Sequence, residues 1–156
     1  IGDNIYTFFY KKISVLFVES FTFIALGLLI ISLIYHNFSH FTLLLFLFSA
    51  VILQYILIIG TISILCSNIL LSIGVSIVYW ITSVILVAIN KSTFGFVAPF
   101  EASNNLYSQI EKVLQSQNIT LASDEVLYII LYIISIILIN LVILTLNKTR
   151  WIKMGI

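Results

Sequence analysis

Two long runs without charge dominate the pattern of hydrophobic and polar positions along the chain. The first covers residues 20–90 and the second residues 126–147, and neither contains Asp, Glu, Lys or Arg. A helix that crosses a bilayer needs about 20 apolar residues, so the first run has room for three such helices and the second for one. Short polar breaks, "HNFSH" and "CSN", divide the first run. The pattern predicts four membrane helices, at residues 17–36, 41–66, 69–90 and 126–147.

The segment between the third and fourth predicted helices, residues 91–125, has a different composition. It contains two lysines, four acidic residues and the only proline of the chain. Polarity of this kind predicts a loop in water. Apolar residues recur within the loop at helical spacing, which predicts a short amphipathic helix on the membrane surface. These residues are Leu106, Ile110, Val113 and Leu114.

Composition agrees with a membrane protein and excludes an ordinary soluble domain. Of the 156 residues, 62% are hydrophobic and 8% are charged, whereas about 25% are charged in a typical soluble domain. The predicted fold class is all-α: a polytopic bundle of four membrane helices in one domain, with an interfacial N-terminal helix in residues 1–16 and an outer loop containing a short helix. The net charge of +1 is too small to indicate nucleic-acid binding. Cys66 is the only cysteine, which excludes a disulfide within the chain.

The basic residues are concentrated at the two ends of the chain. Five of the seven lie there, and they are Lys11, Lys12, Lys148, Arg150 and Lys153. Basic residues beside membrane helices stay on the cytoplasmic side, and an even number of helices places both ends on one side. We therefore expect residues 1–16 and the tail, residues 148–156, to be cytoplasmic and the 91–125 loop to face outward. Tyr10 and Trp151 lie where aromatic anchors occur at membrane interfaces.

Glu19 is an acidic residue near the start of the first predicted membrane helix. If that helix begins at Ile13, Glu19 lies about 10 Å into the bilayer, where a carboxylate indicates proton coupling or pairing between helices. If residues 4–16 instead form an interfacial helix, Glu19 lies at the level of the lipid headgroups. We favour the second alternative, in which Glu19 pairs with Lys11, Lys12 or a basic residue of an adjoining segment where the chain enters the membrane.

The third predicted helix carries polar residues on one face. They follow one another at steps of four, three and four residues, and they are Ser72, Ser76, Tyr79 and Ser83. Small hydroxyl residues in such a stripe usually let helices pack closely and share hydrogen bonds, and we favour this interpretation. The alternative is the lining of a substrate pathway, to which Gln54 in the middle of the second helix would contribute.

The sequence contains no motif of a membrane enzyme. HExxH, GxSxG and the phosphate-binding GxxxxGK[ST] are all missing. His36 and His40 are four residues apart, but they occur in a predicted turn without acidic or cysteine neighbours, so a solvated loop is more probable than a metal site. We predict no catalytic residue, no metal ligand and no cofactor bound by this chain. Any energy for transport then has to come from a partner.

The order of segments resembles that of a known transporter family. The aromatic segment "NIYTFFYKKI" leads into a membrane helix, three further helices follow with "FGFVAPFEASNNLYSQIEKVL" in the outer loop, and "LNKTRWIKMGI" forms a basic tail. This order resembles the C-terminal two-thirds of a type-2 ABC transporter permease, a membrane subunit with six helices, so two helices are expected to precede it. The family has a cytoplasmic coupling helix before its third helix, often with Ser-Lys-Pro-Ile where this chain has "YKKI" and Lys12 stands at the usual Pro.

The resemblance implies partners and a function. ATP and Mg would be bound by separate cytoplasmic ABC ATPase subunits, and a second permease subunit, identical or different, would complete a dimer in the bacterial cell membrane. The ATPase would push on residues at the start of the chain, namely Tyr6, Phe8, Phe9, Tyr10, Lys11 and Lys12. We expect export of an amphipathic peptide, such as an antimicrobial or toxin peptide, or of a lipid or drug. The alternatives are a non-transporting structural or accessory subunit of a membrane complex and, from Glu19 alone, a proton-coupled carrier.

Overall fold

Four long helices account for most of the described chain. The computed structural model describes residues 4–66, 68–94 and 123–153, and within these residues it has no β-strand. The helices are α1 (Ile5–Ile34), α2 (Phe41–Leu65), α3 (Ile69–Ile89), the short α4 (Lys91–Phe94) and α5 (Ser123–Lys153). All four long helices, α1, α2, α3 and α5, are long and apolar enough to cross a membrane. This confirms the predicted all-α polytopic bundle.

Side-chain caps and one left-handed residue set the ends of these helices. Asn4 and Asn68 cap α1 and α3, because the side-chain oxygen of each accepts a hydrogen bond from the backbone N–H two residues later. After the end of α1, His36 takes a positive φ of 50°. Asn37 then closes the turn by accepting hydrogen bonds from the N–H and hydroxyl of Ser39. The turn brings the chain directly into α2.

Helix α1 packs antiparallel to α2 and α5, while α2 and α5 run parallel to each other. Three clusters of buried side chains define this register along the bundle. In order, they are Ile5 with Ile64 and Leu144, Ile13 with Leu57 and Ile136, and Leu47 with Ala50 and Ile129. The start of α1 therefore lies beside the end of α2 and the second half of α5.

Helix α2 is the central helix of the bundle. It packs against α1, α5 and α3, and most of its residues are buried or half-buried. Helix α3 contacts the short α4 that follows it and, among the long helices, packs chiefly against α2; of its 21 residues only Ser72, Ser83 and Val87 are buried. The described chain thus consists of a three-helix unit, formed by α1, α2 and α5, with α3 attached to α2.

Helix α1 differs from the predicted division of the N-terminal region. We predicted an interfacial segment in residues 1–16 and a membrane helix in residues 17–36, whereas the structure has one uninterrupted helix from Ile5 to Ile34. Its 30 residues span about 45 Å, more than the roughly 30 Å of a hydrocarbon core. The helix continues through residue 17, and before that point Phe9 and Ile13 pack against Gly60 and Leu57 of α2.

The observed bounds of the other long helices are close to the predicted ones, except at the ends of α5. The second and third membrane helices agree with α2 and α3 to within a residue, and α5 continues past the predicted end at residue 147 to Lys153. Of the predicted outer loop, residues 91–94 form α4. The predicted amphipathic helix around Leu106 to Leu114 lies outside the described residues.

Candidate functional site

A buried hydrogen-bond network joins α1, α2 and α5. The hydroxyl of Tyr10 donates to Asn140 Oδ1 at 2.8 Å, and Asn140 Nδ2 donates to Thr61 Oγ1 at 2.9 Å. Thr61 in turn donates to the carbonyl oxygen of Leu57 at 2.7 Å. Asn140 is fully buried, with 0% of its surface exposed. The network holds three helices in one arrangement, because breaking a link leaves a polar group unpaired in an apolar interior.

Helices α1 and α2 approach each other closely at Gly60. A side-chain carbon added there would lie 3.0 Å from Phe9 Cζ and 3.4 Å from Ile13 Cδ1. The ring of Phe9 therefore occupies space that glycine leaves free. Tyr10 contacts this ring edge-to-face, with ring centroids 5.4 Å apart. The close helix approach and the hydrogen-bond network thus form one continuous contact.

Three of the six predicted coupling residues face the bundle. Phe9 packs on Gly60, Tyr10 binds Asn140, and the Tyr6 hydroxyl lies 2.9 Å from Thr145 Oγ1 of α5. Tyr10 was also predicted to anchor at the membrane interface, and here its hydroxyl points into the bundle. These three aromatic residues connect α1 to α2 and α5.

The other three predicted coupling residues lie on the outer face of α1. Phe8, Lys11 and Lys12 are exposed, and Lys12 Nζ lies 5.9 Å from the centre of the Phe8 ring. The Lys12 side chain therefore extends toward the start of α1, as expected for a cation that reaches from a membrane helix toward water. The outer face, defined here as Phe8, Lys11 and Lys12, is the part of the predicted set that a partner can contact.

Glu19 lies on an exposed side of α1. It is about 21 Å from Ile5 along the helix axis, at 1.5 Å per residue. Since Ile5 is level with Ile64 and Ile13 is level with Leu57, Glu19 is level with the middle of α2. It is exposed and forms no ion pair with any residue in the described part of the chain. The pairing of Glu19 where the chain enters the membrane stays a prediction.

The polar stripe of α3 faces the rest of the bundle. Ser72 and Ser83 are buried, and Ser76 and Tyr79 are half-buried. The hydroxyl of Ser72 lies 2.8 Å from that of Ser63 on α2. Ser76 and Ser83 each donate to a carbonyl oxygen of α3 itself. The predicted stripe is therefore the inner face of α3, and Ser63 and Ser72 form its contact with α2.

Gln54 does not lie on the side of α2 that contacts α3. It precedes Ser63 on α2 by nine residues, which places the two on opposite sides of a helix with 3.6 residues per turn. Gln54 instead lies on the buried face of α2 that also carries Ala50 and Leu57, beside α1 and α5. Only 1% of its surface is exposed, and its Oε1 has no hydrogen-bond partner among the described residues. The residues predicted for a pathway are thus divided between two sides of α2.

Comparison with known proteins matches the entire chain to one protein family. The model of the peptide export permease protein YydJ family covers residues 1–156. The chain belongs to this family. It is 75% identical over all 156 residues to a protein of Bacillus subtilis (strain 168) named "Probable peptide export permease protein YydJ", and it spans 65% of the length of that relative. No solved structure matches the chain.

Membership of the YydJ family confirms the predicted resemblance to an exporter permease. This family membership is consistent with the four apolar helices, which are typical of a multi-pass membrane protein. The members of this family are described as permeases for peptide export.

Asn140, Thr61 and Gly60 were not among the functional residues predicted from the sequence. Asn140 lies inside the charge-free run of residues 126–147, which we treated as uniformly apolar. A signal was present, because Asn140 follows Ile136 by four residues and precedes Leu144 by four, and both are buried. A polar residue that shares the period of a buried stripe faces the interior. In this YydJ-family chain, that pattern identifies Asn140 as a buried polar residue. It does not identify the residues to which Asn140 is hydrogen-bonded.

Proposed function

We propose that the chain is the transmembrane permease subunit of an ATP-driven exporter that moves an amphipathic peptide out of the cell. The observation that carries this proposal is the family match over the whole chain. The sequence has no GxxxxGK[ST] motif, so separate cytoplasmic ABC ATPase subunits bind ATP and Mg. A second permease subunit, identical or different, completes the transporter in the bacterial cell membrane, with both ends of this chain in the cytoplasm.

The outer face of α1 is the contact for the ATPase in this proposal. Phe8, Lys11 and Lys12 are exposed there, and they combine an aromatic ring with two cations. Such a set suits a groove that is partly apolar and acidic. Movement of this face passes inward through Tyr6 and Tyr10, whose hydroxyls bind α5. Helix α1 would thus contact the ATPase on its outer face and α5 on its inner face, so that a displacement of the outer face also moves α5.

The inner face of α3 lines the route of the peptide. It offers the hydroxyl groups of Ser72, Ser76, Tyr79 and Ser83, and Val87 follows on the same buried side. Alternating hydroxyl and apolar groups suit an amphipathic cargo better than an ion, for which charged side chains or rings of carbonyl oxygens would be needed. Gln54 lies on the other side of α2 and is not included in this surface.

Purification of the full-length permease with the products of neighbouring genes tests the proposal. We expect an ATPase subunit to copurify in a fixed ratio. The double variant Lys11→Ala/Lys12→Ala is expected to lower its ATP turnover about tenfold, equivalent to about 1.4 kcal/mol, while the permease stays folded. Lys148→Ala, which removes an exposed charge from α5, is the matched control and is expected to change little.

Two results would contradict the exporter. One is a folded permease without any nucleotide-binding partner, which would favour the accessory subunit. The other is export that depends on Glu19 and on pH, which would favour a proton-coupled carrier. If the ATPase supplies the energy, Glu19→Gln keeps export within about twofold of the parent at acidic and at alkaline pH, a difference of about 0.4 kcal/mol.

A further inference from the structure

The four long helices are joined with unequal strength. Helices α1, α2 and α5 share two apolar clusters and the network of Tyr10, Asn140 and Thr61, and a third apolar cluster joins α2 to α5. Helix α3 contributes no residue to these clusters, and among the long helices it packs chiefly against α2. Its contact with α2 includes the hydroxyl pair of Ser63 and Ser72. The boundary between α2 and α3, called here the α2–α3 seam, is the weaker one.

The two boundaries also differ in what their polar groups lose on separation. If α1 and α2 leave α5, the fully buried amide of Asn140 loses both partners at once. If α3 leaves α2, the hydroxyl of Ser63 keeps a hydrogen bond, because it also donates to the carbonyl oxygen of Ile59 at 2.9 Å. Opening the α2–α3 seam therefore leaves no buried amide unpaired.

We propose that Asn140 is a positioning residue that makes α1, α2 and α5 one rigid body, and that the transporter opens at the α2–α3 seam, where Ser63 and Ser72 separate. This inference rests on the proposed function. A displacement at the outer face of α1 then moves three helices together against α3. The hydroxyl stripe of α3 becomes accessible to the peptide only when the seam is open.

Distance measurements between spin labels test the rigid body directly. The full-length permease with its partners, in nanodiscs and with Cys66→Ser, carries labels at exposed positions of two helices at a time. The pair Val18→Cys/Leu138→Cys lies within the rigid body, and the pair Val78→Cys/Leu138→Cys reports on α3. We expect one narrow distribution for the first pair in every nucleotide state, and a broad or shifted distribution for the second. Equal behaviour of both pairs would overturn the proposal.

This measurement separates the inference from the function on which it rests. It records distances and not export, so the two distributions can be compared even in a preparation that moves no peptide and binds no ATPase. Failure of the exporter proposal would then be seen in the purification, and failure of the seam would be seen in the distances.

Cross-linking tests whether the seam has to open for export. A short thiol-specific cross-linker between Ser63→Cys and Ser72→Cys is expected to reduce export at least about tenfold, with recovery when the link is cleaved. The matched control is Ala50→Cys/Ile129→Cys, whose parent residues lie in one cluster of the rigid body and whose link is expected to leave export unchanged. Full export with the seam linked, or equal loss for both pairs, would contradict the proposal.

Substitution of Asn140 tests its positioning role. Asn140→Leu is expected to broaden the Val18–Leu138 distribution and to lower the number of peptides exported per ATP hydrolysed, because force on α1 no longer reaches α5 as a unit. Asn140→Gln keeps an amide that can both accept and donate, and it is expected to retain more of the narrow distribution and of the ratio than Asn140→Leu. A loss of stability with an unchanged ratio would show a structural role only. If Asn140→Leu does not fold, the two parent label pairs decide the question.

Discussion

Two amides, Gln54 and Asn140, are buried between α1, α2 and α5, but their hydrogen bonding differs. Asn140 accepts from Tyr10 and donates to Thr61, whereas Gln54 Oε1 has no partner among the described residues. A buried polar group without a partner costs about 1–3 kcal/mol. A hydrogen bond between membrane helices contributes about 0.6 kcal/mol on average and up to about 1.7. The two residues therefore affect stability with opposite signs.

Replacement of each amide residue by leucine tests whether the two residues have opposite effects on stability. Asn140→Leu is expected to lower the free energy of unfolding by about 1–2 kcal/mol, because Tyr10 and Thr61 lose their partner. Gln54→Leu has a similar size and removes an unpaired oxygen, so the free energy of unfolding should stay the same or rise. Titration of the purified protein with SDS in mixed micelles, followed by circular dichroism, measures both. A similar loss at both positions would mean that Gln54 Oε1 has a partner in the membrane.

The close approach of helix α1 to helix α2 depends on Gly60. Gly60→Leu is expected to push Phe9 away and lower the free energy of unfolding by about 1–3 kcal/mol, with a parallel loss of ATPase coupling. Gly74 on α3 has no other atom within 4 Å of an added side-chain carbon, so Gly74→Leu is the matched control. The same SDS titration compares the two variants. Equal stability of both would show that α1 can shift from α2 without cost.

Much of the helix arrangement could be predicted from the sequence, for reasons that differ between helices. The charge-free runs predicted α2 and α3 to within a residue, because about 20 apolar positions are needed per crossing. The period of Ser72 and Ser83 predicted the inner face of α3. The continuity of α1 could not be predicted, because Lys11, Lys12 and Glu19 indicated a separate interfacial segment. That continuity depends on packing against distant residues, such as Phe9 on Gly60.

Contacts between residues distant in sequence could not be predicted for the candidate site either. The aromatic residues at the start of α1 were predicted as one coupling set, yet they divide between an inner and an outer face. Tyr10 and its partner Asn140 are 130 positions apart, and nothing in the local pattern of either residue identifies the other. A pattern along one helix predicts which face is buried, but the partner on that face depends on how the helices are arranged in space.

For the whole molecule, the bundle brings the start of α1 and the end of α5 to one side. Ile5 packs with Leu144, and a guanidinium nitrogen of Arg150 donates to the carbonyl oxygen of Leu65 at 3.3 Å. The turn that contains Ser39 lies at the opposite end of α1. Basic residues are concentrated on the first side, and from the positive-inside tendency we propose that this side faces the cytoplasm.

Labelling of single cysteines in intact cells tests this orientation. In a Cys66→Ser background, Ser39→Cys is exposed in the turn after α1, and Thr149→Cys is exposed near the end of α5. A membrane-impermeant maleimide is expected to label Ser39→Cys in intact cells, and to label Thr149→Cys only after the cells are permeabilised. Both positions are exposed, so a difference in labelling reports the side of the membrane and not burial. The reverse pattern would place the outer face of α1 away from the cytoplasm, where no ATPase could reach it, and the exporter proposal would fail together with the orientation.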